Sequence, residues 1–244
     1  MTASPVLEVA GLRAGYAPGV DILSGLSLAA AENAVTLVIG PNGAGKSTLL
    51  RTIFGLLKPA AGRIVLRGRD VSGANPSTLK AAGVSYVTQD IASFPLLTVE
   101  ENLKMGAWVF RRDGRRVAGR LEHLYALFPA LRDKRNDRAG SLSGGQGRML
   151  SVARELMTAP SLLLIDEPTA GLAPSLVAQV YDILATAKSA TGAAILLVEQ
   201  NVDEALPLAD HVYLLNLGKV KAEGPAREFD SARVRTLVQE CLLG

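Results

Sequence analysis

The stretch "GPNGAGKST", residues 40–48, follows the pattern G-x-x-x-x-G-K-[ST], with Gly40, Gly45, Lys46 and Ser47 in register. It leaves one apolar run, "AVTLVI", and opens another, "STLLRTIFGLL". A strand that feeds such a loop and then a helix turns backbone N–H groups inward around phosphate oxygens. The loop comprises Gly40, Pro41, Asn42, Gly43, Ala44, Gly45, Lys46, Ser47 and Thr48. The helix start behind it adds a partial positive charge of roughly half a unit. In this geometry Lys46 reaches the β- and γ-phosphates of a nucleoside triphosphate and the Ser47 hydroxyl ligates Mg²⁺.

Two other apolar runs end on acids and amides. "LLLIDEP", 162–168, puts Asp166 and Glu167 at the carboxyl end of a strand, the end of a parallel sheet where the phosphate loop also lies. Asp166 suits a Mg²⁺ contact, and Glu167 suits the base that orients and polarises an attacking water. "AAILLVEQN", 193–201, ends on Glu199, Gln200 and Asn201. In "SLSGGQGRML", 141–150, Ser143 and Gln146 form S-x-x-Q, a capping box at a helix start. Met149, Leu150, Ala153, Leu156 and Met157 then recur at helical spacing. Ser143, Gly144 and Gly145 offer backbone N–H groups there, a second anion site. One nucleotide uses both helix starts only if they face each other. A head-to-tail dimer allows this, each cap closing over the other chain's nucleotide.

These groups need a parallel sheet to hold them. "AVTLVIG", "GVSYVTQ", "SLLLIDE" and "AAILLVE" read as strands covered on both faces. "VLEVAGLRAGY", "SGLSLAA" and "GRIVLRG" read as further strands, and "HVYLLNLGKVKAEG" as a hairpin. Between about 98 and 160 the pattern turns helical, with Val99, Leu103, Trp108 and Phe110, then Leu121, Leu124, Tyr125 and Phe128, at core spacing. The aromatics of this stretch are expected in a small core. A short helix follows position 200, and a last helix starts near Ala226.

The 244 residues are 48% hydrophobic and 20% charged, the composition of a globular chain with a sizeable core. A single Cys241 excludes an internal disulfide or a cysteine metal site, and fits a reducing compartment. His123 and His211 are too scattered for a metal cluster. The start, "MTASPVLEVA", lacks the pattern of a secretory signal, and no apolar run approaches the roughly 18 residues of a membrane span. A membrane role would therefore come through a partner or a surface contact. The net charge is +3, and basic residues cluster in "RRDGRR" (111–116) and "RDKRNDR" (132–138). These runs read as solvated loops and helix ends, or as a surface facing the phosphates of lipid or nucleic acid.

The phosphate loop, "LSGGQ" at 142–146 and "LLLIDEP", in this order, resemble the nucleotide-binding domain of ABC transporters, over nearly the whole chain. The resemblance implies an α/β fold: a P-loop NTPase core with a mainly parallel sheet, an N-terminal antiparallel β subdomain and a helical insertion. It implies one domain over 1–244, with core and β subdomain in 1–88 and 161–244 and the helical subdomain at about 89–160. It implies ATP and Mg²⁺ as ligands and hydrolysis by Glu167, Gln200 and Gln89. Tyr16 would stack on adenine, and Gln89 in "VTQD" would sense metal and water beside Ser47 and Asp166. Leu142, Ser143, Gly144, Gly145 and Gln146 would act in trans. The helical insertion would hold a groove for a membrane subunit's cytoplasmic helix, with Phe94, Pro95 and Leu96 as groove or packing residues. The expected partners are a second cassette, of the same or a different chain, integral membrane permease subunits and, indirectly, a periplasmic substrate-binding protein. The expected place is the cytoplasmic face of the inner membrane; no nucleic acid is expected.

"FPLLTVEENLKMGAW", "RAGSLSGGQ", "EPTAGLAPSLV" and "ILLVEQNVDEALPLAD" are similar to ATPase subunits of branched-chain amino-acid importers, and importers of amides or urea share them. Two positions depart from the general ABC pattern: Ala173 stands where most members have aspartate, and Gln200 where most have histidine. Both departures occur in this importer branch. A soluble ABC ATPase acting on nucleic acid would need two cassettes or a long coiled coil, which 244 residues do not hold. A GTPase would need an N-K-x-D stretch, which is absent, and would leave "LSGGQ" unexplained. Lys46→Ala is expected to remove most ATP affinity in an equilibrium titration; tight binding by that variant would contradict the phosphate-loop reading.

Overall fold

The computed structural model describes residues 5–90 and 93–243. Two sheets carry the chain. The first is antiparallel and contains β1 (Pro5–Ala14), β2 (Leu23–Ala31), β4 (Ala61–Leu66) and β5 (Arg69–Asp70), in the order β2-β1-β4-β5. The second contains β3 (Val35–Ile39), β6 (Val84–Val87), β7 (Leu162–Asp166), β8 (Ala194–Val198), β9 (His211–Asn216) and β10 (Lys219–Pro225). Its order is β10-β9-β3-β8-β7-β6. Neighbours from β9 to β6 pair parallel, and β9 and β10 form the antiparallel hairpin expected from their alternation.

The central strands β3, β7 and β8, and the edge strand β6, are buried along their whole length. Successive residues point to opposite faces. Leu37 and Ile39, Leu163 and Ile165, and Ile195 and Leu197 belong to one core, shared with the helices between β6 and β7. Val38, Leu162 and Leu164, and Leu196 and Val198 belong to the other, under the antiparallel sheet and α1 (Lys46–Ile53). Strands covered on both faces have no polar side to show, which is why their sequences run apolar without alternation.

Between β6 and β7 the described residues form the helices α3 (Val99–Gly106), α4 (Gly114–Leu127), α5 (Pro129–Asp133) and α6 (Gly144–Leu156); the short α2 (Pro76–Ala81) precedes β6. Thr98 starts α3 with a complete capping box to Glu101. Leu121, Leu124, Tyr125 and Phe128 are buried as their spacing predicts. Trp108 departs from that expectation and is 56% exposed. α3 ends at Gly106, two residues before it, where a Cβ would stand 2.1 Å from the Arg154 carbonyl oxygen and α3 meets α6 backbone to backbone. The chain then leaves the helical stripe in a single 3-10 turn, Trp108–Phe110. The chain closes with α7 (Pro174–Thr191), α8 (Val202–Ala205) and α9 (Ser231–Leu243). A 3-10 turn, Ala226–Glu228, stands where α9 was expected to begin. Among the described residues no helix is long and apolar enough to cross a membrane.

Asn102 shows how α3 holds the segment before it. The side chain is fully buried; its Oδ1 accepts from the Phe94 N–H at 2.8 Å, and its Nδ2 donates to the carbonyls of Phe94 and Thr98 at 3.0 and 2.9 Å. The Phe94 and Thr98 carbonyls also accept from the N–H groups of Leu97 and Asn102, but Asn102→Ala takes the acceptor from the Phe94 N–H and is expected to cost about 1–3 kcal/mol in urea unfolding. A loss under about 0.5 kcal/mol, the range of neutral surface changes, would mean that water replaces the amide.

Candidate functional site

Strands β3, β7 and β8 end side by side, and the groups singled out from the sequence follow directly from those ends. The phosphate loop leaves β3 at Gly40, where φ is 151° and a Cβ would lie 2.3 Å from the Leu215 carbonyl oxygen. Gly45 closes the loop with φ 100° and a Cβ position 2.8 Å from Leu23 Cδ2. Both positions exclude a side chain, so the loop packs tightly on its supports and keeps its N–H groups for a ligand. Lys46 is buried on the first turn of α1 and donates to the carbonyls of Gly40 and Pro41 at 3.0 and 3.2 Å. Burial lowers its pKa, while Glu167 and Asp166 act against that shift.

Asp166 ends β7. Its Oδ1 accepts from Ser47 Oγ at 3.0 Å and its Oδ2 from the Tyr86 hydroxyl at 2.9 Å. Burial raises the Asp166 pKa against these two donors, and the same burial, with the carboxylate beside it, raises that of Tyr86. Glu167 follows in the left-handed region, φ 42°. For a non-glycine residue this costs about 1–3 kcal/mol and is found where the surroundings over-determine it. Here the Glu167 N–H bonds to Val198 O at 2.9 Å, Gln200 Nε2 donates to Glu167 Oε1 at 2.7 Å, and Lys46 Nζ stands 3.7 Å from the same oxygen. Gln200, expected among the hydrolytic residues, thus has its N–H₂ on the Glu167 carboxylate.

Glu199 has a role that its sequence did not reveal. It is 2% exposed, yet accepts four hydrogen bonds: from Thr169 N and Oγ1 at 3.1 and 2.7 Å, and from the N–H groups of Gln200 and Asn201 at 2.9 and 3.2 Å. Its carboxylate thereby fixes the backbone that carries Gln200 and the turn after Glu167. The signal available was an acid closing an apolar run, which also describes Glu167.

A cavity of about 370 Å³ joins Tyr16, the phosphate loop from Asn42 to Thr48, Glu167 and Gln200. A neighbouring one of about 420 Å³ is lined by Tyr16, Arg51, Tyr86, Gln89 and Asp166. A third, about 470 Å³, holds Gln89, Glu167 and Gln200 with the turn at Thr169–Leu172. These cavities gather Tyr16, Gln89, Asp166, Glu167, Gln200 and the loop residues Asn42, Gly43 and Gly45 to Thr48; Gly40, Pro41, Ala44 and the "LSGGQ" segment do not line them. Tyr16 is 57% exposed beside the loop, and its hydroxyl accepts from Thr48 Oγ1 and Arg51 Nη1 at 3.4 and 3.3 Å. Gln89 is exposed, and its backbone is held from another quarter. Arg148 of α6, 1% exposed, donates to the carbonyls of Thr88 and Gln89 at 3.0 and 2.6 Å.

Ser143 caps α6 with the expected reciprocal pair, Ser143 N to Gln146 Oε1 at 3.2 Å and Gln146 N to Ser143 Oγ at 3.4 Å. Leu142 precedes the cap and packs on the helical core. Gly144 and Gly145 have a second use: a Cβ on Gly145 would stand 3.3 Å from Leu176 and 3.0 Å from Gln179, so the glycines also let α6 approach α7. Ser143 itself is exposed and lies outside the three cavities around the phosphate loop.

A phosphate loop after a central parallel strand, with buried acids on the two adjacent strand ends, defines a nucleotide-hydrolysing cassette. Residues 23–170 match the ABC transporter family, and the chain belongs to it. A probable branched-chain amino acid transport ATP-binding protein of Archaeoglobus fulgidus is 39% identical over 223 residues, covering 91% of this chain and 93% of that one. A high-affinity branched-chain amino acid transport ATP-binding protein of Pseudomonas aeruginosa is 38% identical, covering 84% and 87%. The crystal structure of a nucleotide-free ATP-binding cassette from an ABC transporter superposes with a TM-score of 0.84 at 28% identity, covering 99% of this chain and 100% of that one. The chain is therefore an ATP-binding subunit that hydrolyses ATP.

Gln200→Ala removes the donor from Glu167. It is expected to lower turnover by on the order of 10²-fold, the loss of one preorganised donor, with a much smaller change in ATP affinity. Equal losses in turnover and affinity would make Gln200 a binding residue only.

Proposed function

We propose that this subunit powers an importer of branched-chain amino acids, in which two cassettes close head-to-tail on two ATP molecules. The observation that carries the mechanism is the meeting of Lys46, Glu167 and Gln200 beside the phosphate loop, with exposed Ser143 outside their cavity. A cap that no intramolecular cavity uses is free to complete a partner's site. The substrate class rests on the similarity to the Archaeoglobus and Pseudomonas transport proteins.

On this reading ATP lies with adenine against the exposed Tyr16 ring and its phosphates over residues 43–48. Lys46 exchanges the Gly40 and Pro41 carbonyls for phosphate oxygens. The Ser47 hydroxyl and Asp166 carboxylate are hard oxygen donors suited to Mg²⁺, which keeps waters and phosphate oxygens as its other ligands. When bound, Mg²⁺ neutralises charge on the β- and γ-phosphates. Glu167 takes up a proton from the attacking water as its oxygen bonds to the γ-phosphorus, while the bond from that phosphorus to the β–γ bridging oxygen breaks and ADP leaves. Gln200 orients that carboxylate and can turn its amide to the γ-phosphate; being neutral, it does this without titrating near pH 7. Gln89 reaches the same water from the side of the helical segment, to which Arg148 ties its backbone.

Residues 1–88 and 161–244 form the core with its β subdomain, and about 89–160 the helical subdomain that moves on closure. A groove of about 420 Å³, lined by Lys80, Ser93, Phe94, Met105, Arg154 and Glu155, receives a cytoplasmic helix of a permease subunit. Phe94 is 47% exposed there, and Leu96, at 78%, extends the apolar rim. The subunit then sits at the cytoplasmic face of the inner membrane, and a periplasmic binding protein delivers the substrate from the other side. Substrate-stimulated ATPase activity of the intact complex tests the assignment: stimulation by leucine, isoleucine or valine supports it, and stimulation by urea or short amides alone replaces it.

Glu167→Gln is expected to retain ATP binding while turnover falls by about 10²–10⁴-fold, the contribution of a positioned base. It should accumulate an ATP-bound dimer by size-exclusion chromatography. Unchanged turnover would remove Glu167 from the mechanism.

A further inference from the structure

The segment from Ala107 to Arg116, "AWVFRRDGRR", is not used by the ATP site, yet it has a definite surface chemistry. Trp108 and Val109 are 56% and 44% exposed. The Arg111 guanidinium lies 4.1 Å from the centre of the Trp108 ring, and that of Arg116 lies 4.2 Å from the Phe110 ring. Arg112 and Arg115 are exposed between them. Among the described residues none of these four arginines has an ion-pair partner. The single acid of the segment, Asp113, accepts from the Arg116 N–H at 3.0 Å as the cap of α4.

The other basic run differs. There Arg132 pairs with Glu122 at 3.0 Å and Lys134 with Asp137 at 3.4 Å, so much of its charge is answered within the fold. Of the two basic runs, it is the Trp108–Arg116 patch that combines unanswered positive charge with exposed aromatic and aliphatic surface. A nucleic-acid backbone would answer the charge and leave Val109 and the Trp108 edge in water. An anionic bilayer surface answers both: headgroup phosphates take the guanidinium groups, and the indole and valine enter the boundary beneath them. The patch also follows directly on Met105 and Gly106, which line the groove assigned above to the permease, and so continues an interface that faces the membrane.

We propose that residues 107–116 form a lipid-contact patch that binds anionic phospholipid headgroups beside the permease. This rests on the importer reading for its place in the assembly, while its chemistry is testable without the permease. The chain has one tryptophan, so the emission of Trp108 reports the patch directly. The full chain is titrated with vesicles of phosphatidylcholine alone and with vesicles containing an equal share of phosphatidylglycerol. The expected result is a blue shift with the anionic vesicles only, reversed by salt as screening shortens the reach of the charges. Each of Arg111→Gln, Arg112→Gln and Arg115→Gln is expected to weaken vesicle affinity about fivefold. Val109→Asp should suppress the shift, with ATPase activity unchanged in all four variants. Arg132→Gln should bind vesicles like the parent chain.

No shift with anionic vesicles, or an equal shift with neutral ones, overturns the proposal. So does a patch-dependent shift that occurs with duplex or single-stranded DNA but not with lipid. A chain that captures its permease and yet ignores vesicles would sink the lipid patch alone. A chain that binds vesicles but no permease would sink the importer reading instead.

Discussion

Three carboxylates are buried together at the carboxyl ends of β7 and β8: Asp166 is 3% exposed, Glu167 8% and Glu199 2%. Unanswered charge in such a place costs several kcal/mol, so each acid needs its own compensation. Asp166 receives two hydroxyl donors, from Ser47 and Tyr86. Glu199 receives four bonds from Thr169, Gln200 and Asn201. Glu167 has the least secure arrangement, one amide bond and a lysine at 3.7 Å. The acid assigned to catalysis is thus the one held by groups that a nucleotide can take over.

The surrounding architecture follows from this arrangement. The parallel register sets Asp166 opposite Val198 and brings the loops after β7 and β8 within hydrogen-bonding range. The left-handed turn at Glu167 aims its side chain back at Lys46 and Gln200, across the mouth of the phosphate loop. Arg148 adds a mechanical link. It has no carboxylate within ion-pair range among the described residues, and its guanidinium is spent on the backbone of Thr88 and Gln89. Displacement of α6, which Ser143 caps, would therefore move the Gln89 backbone with it. On the proposed mechanism this is how closure at one chain's cap reaches the other ligands of its own nucleotide.

The sequence was most informative where local chemistry decides the structure. The phosphate loop follows from its glycines, the α6 start from the Ser143–Gln146 pair, and the β9–β10 hairpin from alternation. Each is settled within about fifteen residues. The contacts of Gln200 with Glu167, and of Arg148 with Gln89, depend on strand register and helix packing across separations of 33 and 59 residues. No local pattern carries that information. Trp108 shows the opposite failure: its spacing fits a core helix, but α3 ends at Gly106 before reaching it. Glu199 was visible only as an acid at a strand end, and nothing in its neighbours distinguished a structural carboxylate from a reactive one.

The central claim is that ATP takes over the two groups that now hold Glu167. A structure of the chain with Mg²⁺ and a non-hydrolysable ATP analogue tests it. The predicted result has Lys46 Nζ off the Gly40 and Pro41 carbonyls and on the phosphates, with the Gln200 amide turned from Glu167 Oε1 to the terminal phosphate. A bound analogue that leaves Gln200 on Glu167 and Lys46 on those two carbonyls would contradict it.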